Sequence, residues 1–269
     1  MHIEALRKQM ASRTTAVLVA AAAACALISS QSAAEVTASQ REQLKSLAME
    51  TRRKTDRARA ELRNARAVLY AVYRVYELDD RRAKAAIERI NSTQLQLLKI
   101  HLENQLEIRQ VLDSAQFRQM ISRAHDPRGM AWPSMDNGIA DRIPDRQMIE
   151  DLGLGAEEKR RALALTGTNA ERTRLLEKLR RDTRQMMELY SRYDLDTAAA
   201  NRLIESIHSS QIALTAQNHK RQQQLRKVLT QRQFERLQAS SAFVDPRSAP
   251  ESFPGNQCIS TSHVPMPGR

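Results

Sequence analysis

Between residues 36 and 126, and again between 168 and 245, the chain contains neither glycine nor proline. Its 7 Gly and 8 Pro are confined to the segment joining these stretches and to the C-terminal end. Sheets, barrels and doubly wound folds need frequent turn residues, so two turn-free stretches rich in Ala, Leu, Arg, Glu and Gln imply an all-α protein. The same distribution excludes the Gly-rich loops that cradle nucleotide phosphates.

The two stretches are copies of each other. At an offset of 117, residues 73–117 match 190–234 without a gap, with 17 identities over 45 positions. Among them are Tyr73/Tyr190, Tyr76/Tyr193, Asp79/Asp196, Ile90/Ile207, Gln94/Gln211, Arg109/Arg226 and Phe117/Phe234. Asp126-Pro127-Arg128 recurs as Asp245-Pro246-Arg247 after a two-residue insertion. The chain is a tandem duplication, divided into unit 1 (35–125), a linker (126–153), unit 2 (154–245) and a tail (246–269). The Pro- and Ser-rich tail has the composition of a disordered segment.

Helical periodicity gives each unit the same plan. Leu62, Leu69, Val72 and Tyr76 recur at helical spacing, as do Leu179, Met186, Leu189 and Tyr193. A break at 77–79, or 194–196, with Asp79 or Asp80 as N-cap, opens a second long helix. Its seam is Ile87, Ile90, Gln94, Leu97, His101, Asn104, Ile108 and Val111, and the copy runs from Ile204 to Val228. Steps of three and four make each unit an antiparallel helical hairpin. Gln94 and Gln211 either fix register within the seam or face solvent.

Each unit closes with one motif: Leu112-Asp113-x-x-Gln116-Phe117 and Leu229-Thr230-x-x-Gln233-Phe234. Asp113 or Thr230 can cap a new helix while Gln116 or Gln233 reaches back to the cap's own N–H, which is a capping box. Leu112 with Phe117, and Leu229 with Phe234, occupy the two positions of a hydrophobic staple. Short helices are therefore expected over 114–124 and 231–241. The units open on related sequences, Val36-Thr37-x-x-Gln40 and Leu154-Gly155-x-x-Glu158.

A helical unit with Leu-Thr-x-x-Gln near each end resembles the periplasmic LTxxQ family of Spy and CpxP. ZraP and the metal-sensor domain of CnrX are its metal-linked relatives. The resemblance covers roughly 36–125 and 154–241. Leu229-Thr230-x-x-Gln233 carries the full motif, Leu112-Asp113-x-x-Gln116 and Val36-Thr37-x-x-Gln40 are near matches, and Leu154-Gly155-x-x-Glu158 departs at two of three positions. The resemblance implies an ATP-independent chaperone or envelope-stress protein, built from hairpins that pair into a cradle. Two units in one chain then suggest a covalently linked pseudo-dimer.

The N-terminus agrees with export. Arg7, Lys8 and Arg13 precede an apolar run from Thr15 to Ile28, and Ser32 and Ala34 fit a cleavage site after residue 34. The run is short for a span, which needs about 20 residues. Residues 1–34 thus read as a cleavable signal peptide and the expected location is the periplasm. Cys25 lacks the leucine that a lipidation site would carry three positions upstream. Cleavage leaves 40 basic and 30 acidic residues, a balance of +10, and one cysteine, Cys258, in the tail. One cysteine forms no internal disulfide, so packing alone must hold the fold.

No nucleophile, acid pair or Gly-rich turn forms a catalytic constellation, so neither an enzyme nor a cofactor is expected. No His-x-x-x-His or His-x-x-x-Met pair exists to place two ligands on one helix face. His208 and His219 lie eleven residues apart, roughly 16 Å along a helix, too far to share an ion. No metal site is assigned; in the alternative reading as a metal-responsive sensor or buffer, His101, His208 and His219 are the first candidates. Charge is the remaining handle. Arg52, Arg59, Arg63 and Arg66 form a helical stripe on the first helix, and Arg180, Arg181 and Arg184 crowd its counterpart. They are the candidate binding residues for unfolded or acidic polypeptide clients, a basic surface gaining on-rate from its field. The competing reading is a solvated face paired with interleaved acids, and the third function is a purely structural helical module. Nucleic acid is not expected without interleaved stacking aromatics, while peripheral contact with anionic membranes stays open. Trp132, beside Pro133 in the linker, is read as docking on a hairpin.

Overall fold

The computed structural model describes residues 36–124, 146–166 and 170–240. The expected signal peptide, Trp132, the tail and Cys258 lie outside the described residues, as do His125 and His263. Among the described residues all regular structure is α-helical: α1 (Ala38–Arg74), α2 (Asp80–Val111), α3 (Ser114–Ala124), α4 (Arg146–Glu150), α5 (Ala156–Thr166), α6 (Ala170–Tyr190), α7 (Thr197–Val228) and α8 (Gln231–Ser240). None of these helices is long and apolar enough to cross a membrane.

The breaks fall where the duplicated sequence places them. Asp79 accepts a bond from the Arg82 N–H at 2.9 Å, and Asp196 one from the Ala199 N–H at 2.8 Å. So Asp79, rather than Asp80, caps α2. Helix α1 is one rod of 37 residues, about 55 Å long at 1.5 Å per residue. Its counterpart is described as α5 and α6, on either side of a segment that includes Gly167.

Helices α1 and α2 pack along their length. At the turn end, Leu62, Ala65, Leu69, Val72 and Tyr73 of α1 bury against Ala83, Ala86 and Ile90 of α2. At the open end, Val36 and Leu44 meet Ile108, Leu112, Phe117 and Met120. The second copy repeats the open-end cluster with Ala162, Leu225, Leu229, Phe234 and Leu237. It adds something the linker assignment did not foresee. Ile149 of α4 and Leu152 belong to that cluster, so the packed part of unit 2 begins within residues assigned to the linker. Gly153 follows with a φ of +67°, a left-handed turn that leads the chain into α5.

A further cluster joins the copies. Leu98 and Leu102 of α2 share it with Leu179, Met186 and Tyr190 of α6 and with Ala200, Ile204, Ile207 and Leu214 of α7. Both long second helices therefore bury residues beyond the hairpin seam, such as Thr93, Leu98 and Leu102 on α2, or Ser210, Thr215 and His219 on α7. Gln94 and Gln211 are 6% and 4% exposed, which excludes the solvent-facing reading.

Candidate functional site

All four motif positions are helix starts held by side chains. The Thr37 hydroxyl accepts from the Gln40 N–H at 3.1 Å, and Gln40 Oε1 accepts from the Thr37 N–H at 2.9 Å. Asp113 and Gln116 make the same exchange at 2.8 and 3.1 Å. Thr230 and Gln233 repeat it with a looser return bond of 3.4 Å. Even the divergent Gly155 N–H donates to Glu158, at 3.4 Å. The staple pairs are buried together, Leu112 with Phe117 and Leu229 with Phe234. In unit 1 the two boxes touch. Gln40 Nε2 donates to the Val111 carbonyl at 2.8 Å and to Gln116 Oε1 at 3.1 Å, which ties the start of α1 to the end of α2.

The most heavily bonded groups are two arginines that the repeat alignment pairs but to which sequence patterning assigned no role. Arg226 of α7 donates through Nη2 to the carbonyls of Tyr73 and Val75 at 2.8 and 2.7 Å, and through Nε to Tyr76 at 2.9 Å. Arg109 of α2 donates through Nη2 to Tyr190 and Arg192 at 2.7 and 2.6 Å, and through Nε to Tyr193 at 2.9 Å. Each guanidinium thus caps the carbonyl end of the other copy's helix, where a cation is favoured by the orphan acceptors and the helix dipole. Each also lies over its own copy's phenyl ring, Arg109 at 4.3 Å from Phe117 and Arg226 at 4.4 Å from Phe234. Tyr76 meets Phe234 edge-on, and Tyr193 meets Phe117 likewise, both with centroids 5.8 Å apart. Burial pulls both guanidinium pKa values down to about 10, which leaves them charged at neutral pH.

A polar chain accompanies the Arg226 end. The Tyr73 hydroxyl is 3.0 Å from His219 Nδ1, and His219 Nε2 is 2.8 Å from Asp80 Oδ1. One assignment that satisfies both bonds has Nε2–H donating to Asp80 and the Tyr73 hydroxyl donating to Nδ1. Gln223 Nε2 and Lys84 Nζ complete the carboxylate's shell at 2.7 and 2.6 Å. Lys84, then His219, holds the Asp80 carboxyl down at about 2, while burial pushes the Tyr73 hydroxyl up. His208 Nε2 donates to the backbone carbonyl of Asn91, its own repeat counterpart, at 2.9 Å.

The seven candidate arginines do not form one uniform surface. Arg59 and Arg66 are half-buried, whereas Arg52, Arg63, Arg180, Arg181 and Arg184 are exposed. Arg52 lies 3.6 Å from Asp56 and Arg181 lies 3.9 Å from Asp182. Neighbouring Lys54 and Arg57 are likewise matched by Glu50 and Glu61, at 2.9 and 3.9 Å. Among the described residues no carboxylate lies within 4 Å of Arg63, Arg180 or Arg184, so these three carry the unmatched charge. Exposed Met49, Val68 and Val75 add apolar surface to the α1 side.

The three histidines are scattered rather than convergent, and among the described residues no group of three ligating side chains could hold a metal. His101 is half-buried beside Arg59; burial, and then that positive charge, pulls its pKa down to about 4. Met186 and the paired tyrosines Tyr73 and Tyr190 are core residues. Compared with protein-family models, with curated proteins and with solved structures, the chain matches none.

Proposed function

We propose that the chain is an exported, ATP-independent chaperone-like or envelope-stress protein whose two units pair as a pseudo-dimer and hold unfolded or acidic polypeptides. The observation that carries the client-binding reading is the unmatched, exposed charge of Arg63, Arg180 and Arg184, with exposed Val68 five residues from Arg63 on α1. Cations interspersed with small apolar contacts suit weak, multi-site capture, with the field raising the encounter rate. The reciprocal contacts support the pairing. Tyr76 meets Phe234 while Tyr193 meets Phe117, the reciprocity that a self-complementary two-fold pairing would produce. A pseudo-axis where α2 packs on α7 would account for the contact between the counterparts Asn91 and His208.

The test is light scattering from a denatured client diluted into the protein, with chelator and again with zinc or copper. Suppression in chelator supports the proposal, and Arg63→Glu, Arg180→Glu and Arg184→Glu together should abolish at least half of it. Suppression only with metal would replace it by a metal-responsive sensor. No suppression in either condition would leave a structural helical module.

A further inference from the structure

The two ends of the inter-unit contact carry the same arginine clasp but different surroundings. At one end stand Tyr73, Asp80, His219 and Gln223, hydrogen-bonded in series. At the other end their counterparts are Tyr190, Thr197, Leu102 and Leu106. There Leu102 and Leu106 share an apolar cluster with Tyr190 and Met186. One end therefore holds a polar series, and at the other two leucines stand in the places of His219 and Gln223.

We infer that this asymmetry selects the partner: each unit is built to accept the other unit and to reject a second copy of itself. The inference rests on the pseudo-dimer reading. In a pair of two first units, Leu102 and Leu106 would stand against Asp80 and Tyr73 at both ends. The buried Tyr73 hydroxyl would lose its acceptor without replacement, while Asp80, 40% exposed, would keep Lys84 and exchange His219 and Gln223 for water. In a pair of two second units, His219 would meet Thr197 instead of a carboxylate at both ends. Two His208 rings would also meet at the axis, where His208 now bonds a backbone carbonyl. A buried polar group stripped of its partner is penalised far more than a matched pair is rewarded, so both like pairings are disfavoured. Specificity of this kind works by penalising the wrong partner rather than by strengthening the right one. For a duplicated chain the consequence is closure: units find each other within one molecule instead of linking molecules through like-with-like contacts.

The test uses the whole chain with a protease site placed between α3 and α4, cut after folding. The cut protein is unfolded in urea, returned to buffer so that the halves choose freely, and weighed by native mass spectrometry. The expected result is the mixed pair in at least tenfold excess over both like pairs together. A statistical mixture would overturn the inference while leaving the pseudo-dimer intact. Halves that do not reassociate would remove the pseudo-dimer reading, and the inference with it. A second chain carries Asp80→Thr, His219→Leu, Gln223→Leu and His208→Asn, which makes the polar end a copy of the apolar one. Its like pairs should rise to near the statistical share. Unchanged selection in that chain would assign the preference elsewhere and overturn the role given to these residues.

Discussion

Arg226 and Arg109 each satisfy three carbonyls that would otherwise end a helix without partners. Arg226→Met keeps the aliphatic stem over Phe234 but strips those acceptors, and charge-assisted bonds of this kind are the stronger class. A loss of about 2–4 kcal/mol in urea unfolding is expected. Replacing exposed Arg63 by Met should move stability by less than about 0.5 kcal/mol. Equal effects would show that the clasp contributes nothing special. His101 supplies a pH dependence with a definite sign. Its folded pKa of about 4 lies below the ordinary value of 6.5, so the unfolded chain binds the proton first. Stability should therefore fall as pH drops from about 6.5 to about 4 and then level, by on the order of 2 kcal/mol in all. His101→Asn, which installs the residue found at Asn218, should remove that slope in unfolding curves taken across the window. Asp80 acts lower. Its depressed carboxyl adds stability that is lost only as pH falls from 3.8 toward 2, so the two effects separate.

The helix starts show what a five-residue motif does and does not encode. Each box satisfies N–H groups that a helix end leaves orphaned, and loss of such a cap typically costs about 1 kcal/mol. Gln233→Ala should cost that much. Gln40→Ala should cost measurably more, because Gln40 also bonds Val111 and Gln116 across the unit. Paired thermal melts of the two variants check the ranking, and equal shifts would mean that the cross-helix bonds add nothing. The boxes, the staples and the breaks at Asp79 and Asp196 were legible beforehand, since caps depend on residues three or four positions apart. The short helix α4 was not: five residues among proline and glycine show no periodicity, and only Ile149 buried against unit 2 makes them part of the fold.

For the whole molecule, the cluster that joins Leu98 and Leu102 to α6 and α7 makes the copies mutually dependent. Each unit shares part of its core with the other and takes from it the arginine that caps one helix end. Calorimetry should accordingly show one transition whose van't Hoff and calorimetric enthalpies agree. Two separable transitions would mean that the units fold independently. The basic balance is a property of this same scale: burial and ion pairs withdraw Arg59, Arg66 and Arg52 from it, and leave Arg63, Arg180 and Arg184 outward. The stripe read along one helix could not separate these groups, because spacing places Arg59 and Arg63 on one face without saying which of them a neighbouring helix covers.

The chain's own order determined the helical class, the duplication, the hairpin breaks and the four capped helix starts. All of these rest on interactions between residues near in sequence, or on the presence of Gly and Pro. Tertiary structure alone decided that α2 and α7 bury a second face and that Arg109 and Arg226 cap each other's unit. It also decided that Tyr73, His219 and Asp80 form one relay, from residues 139 and 146 positions apart. The physical reason is that a helix records its first apolar stripe as a period, whereas a contact between distant helices leaves only unremarkable residues. An arginine, a histidine and a tyrosine acquire their roles when packing removes the water around them.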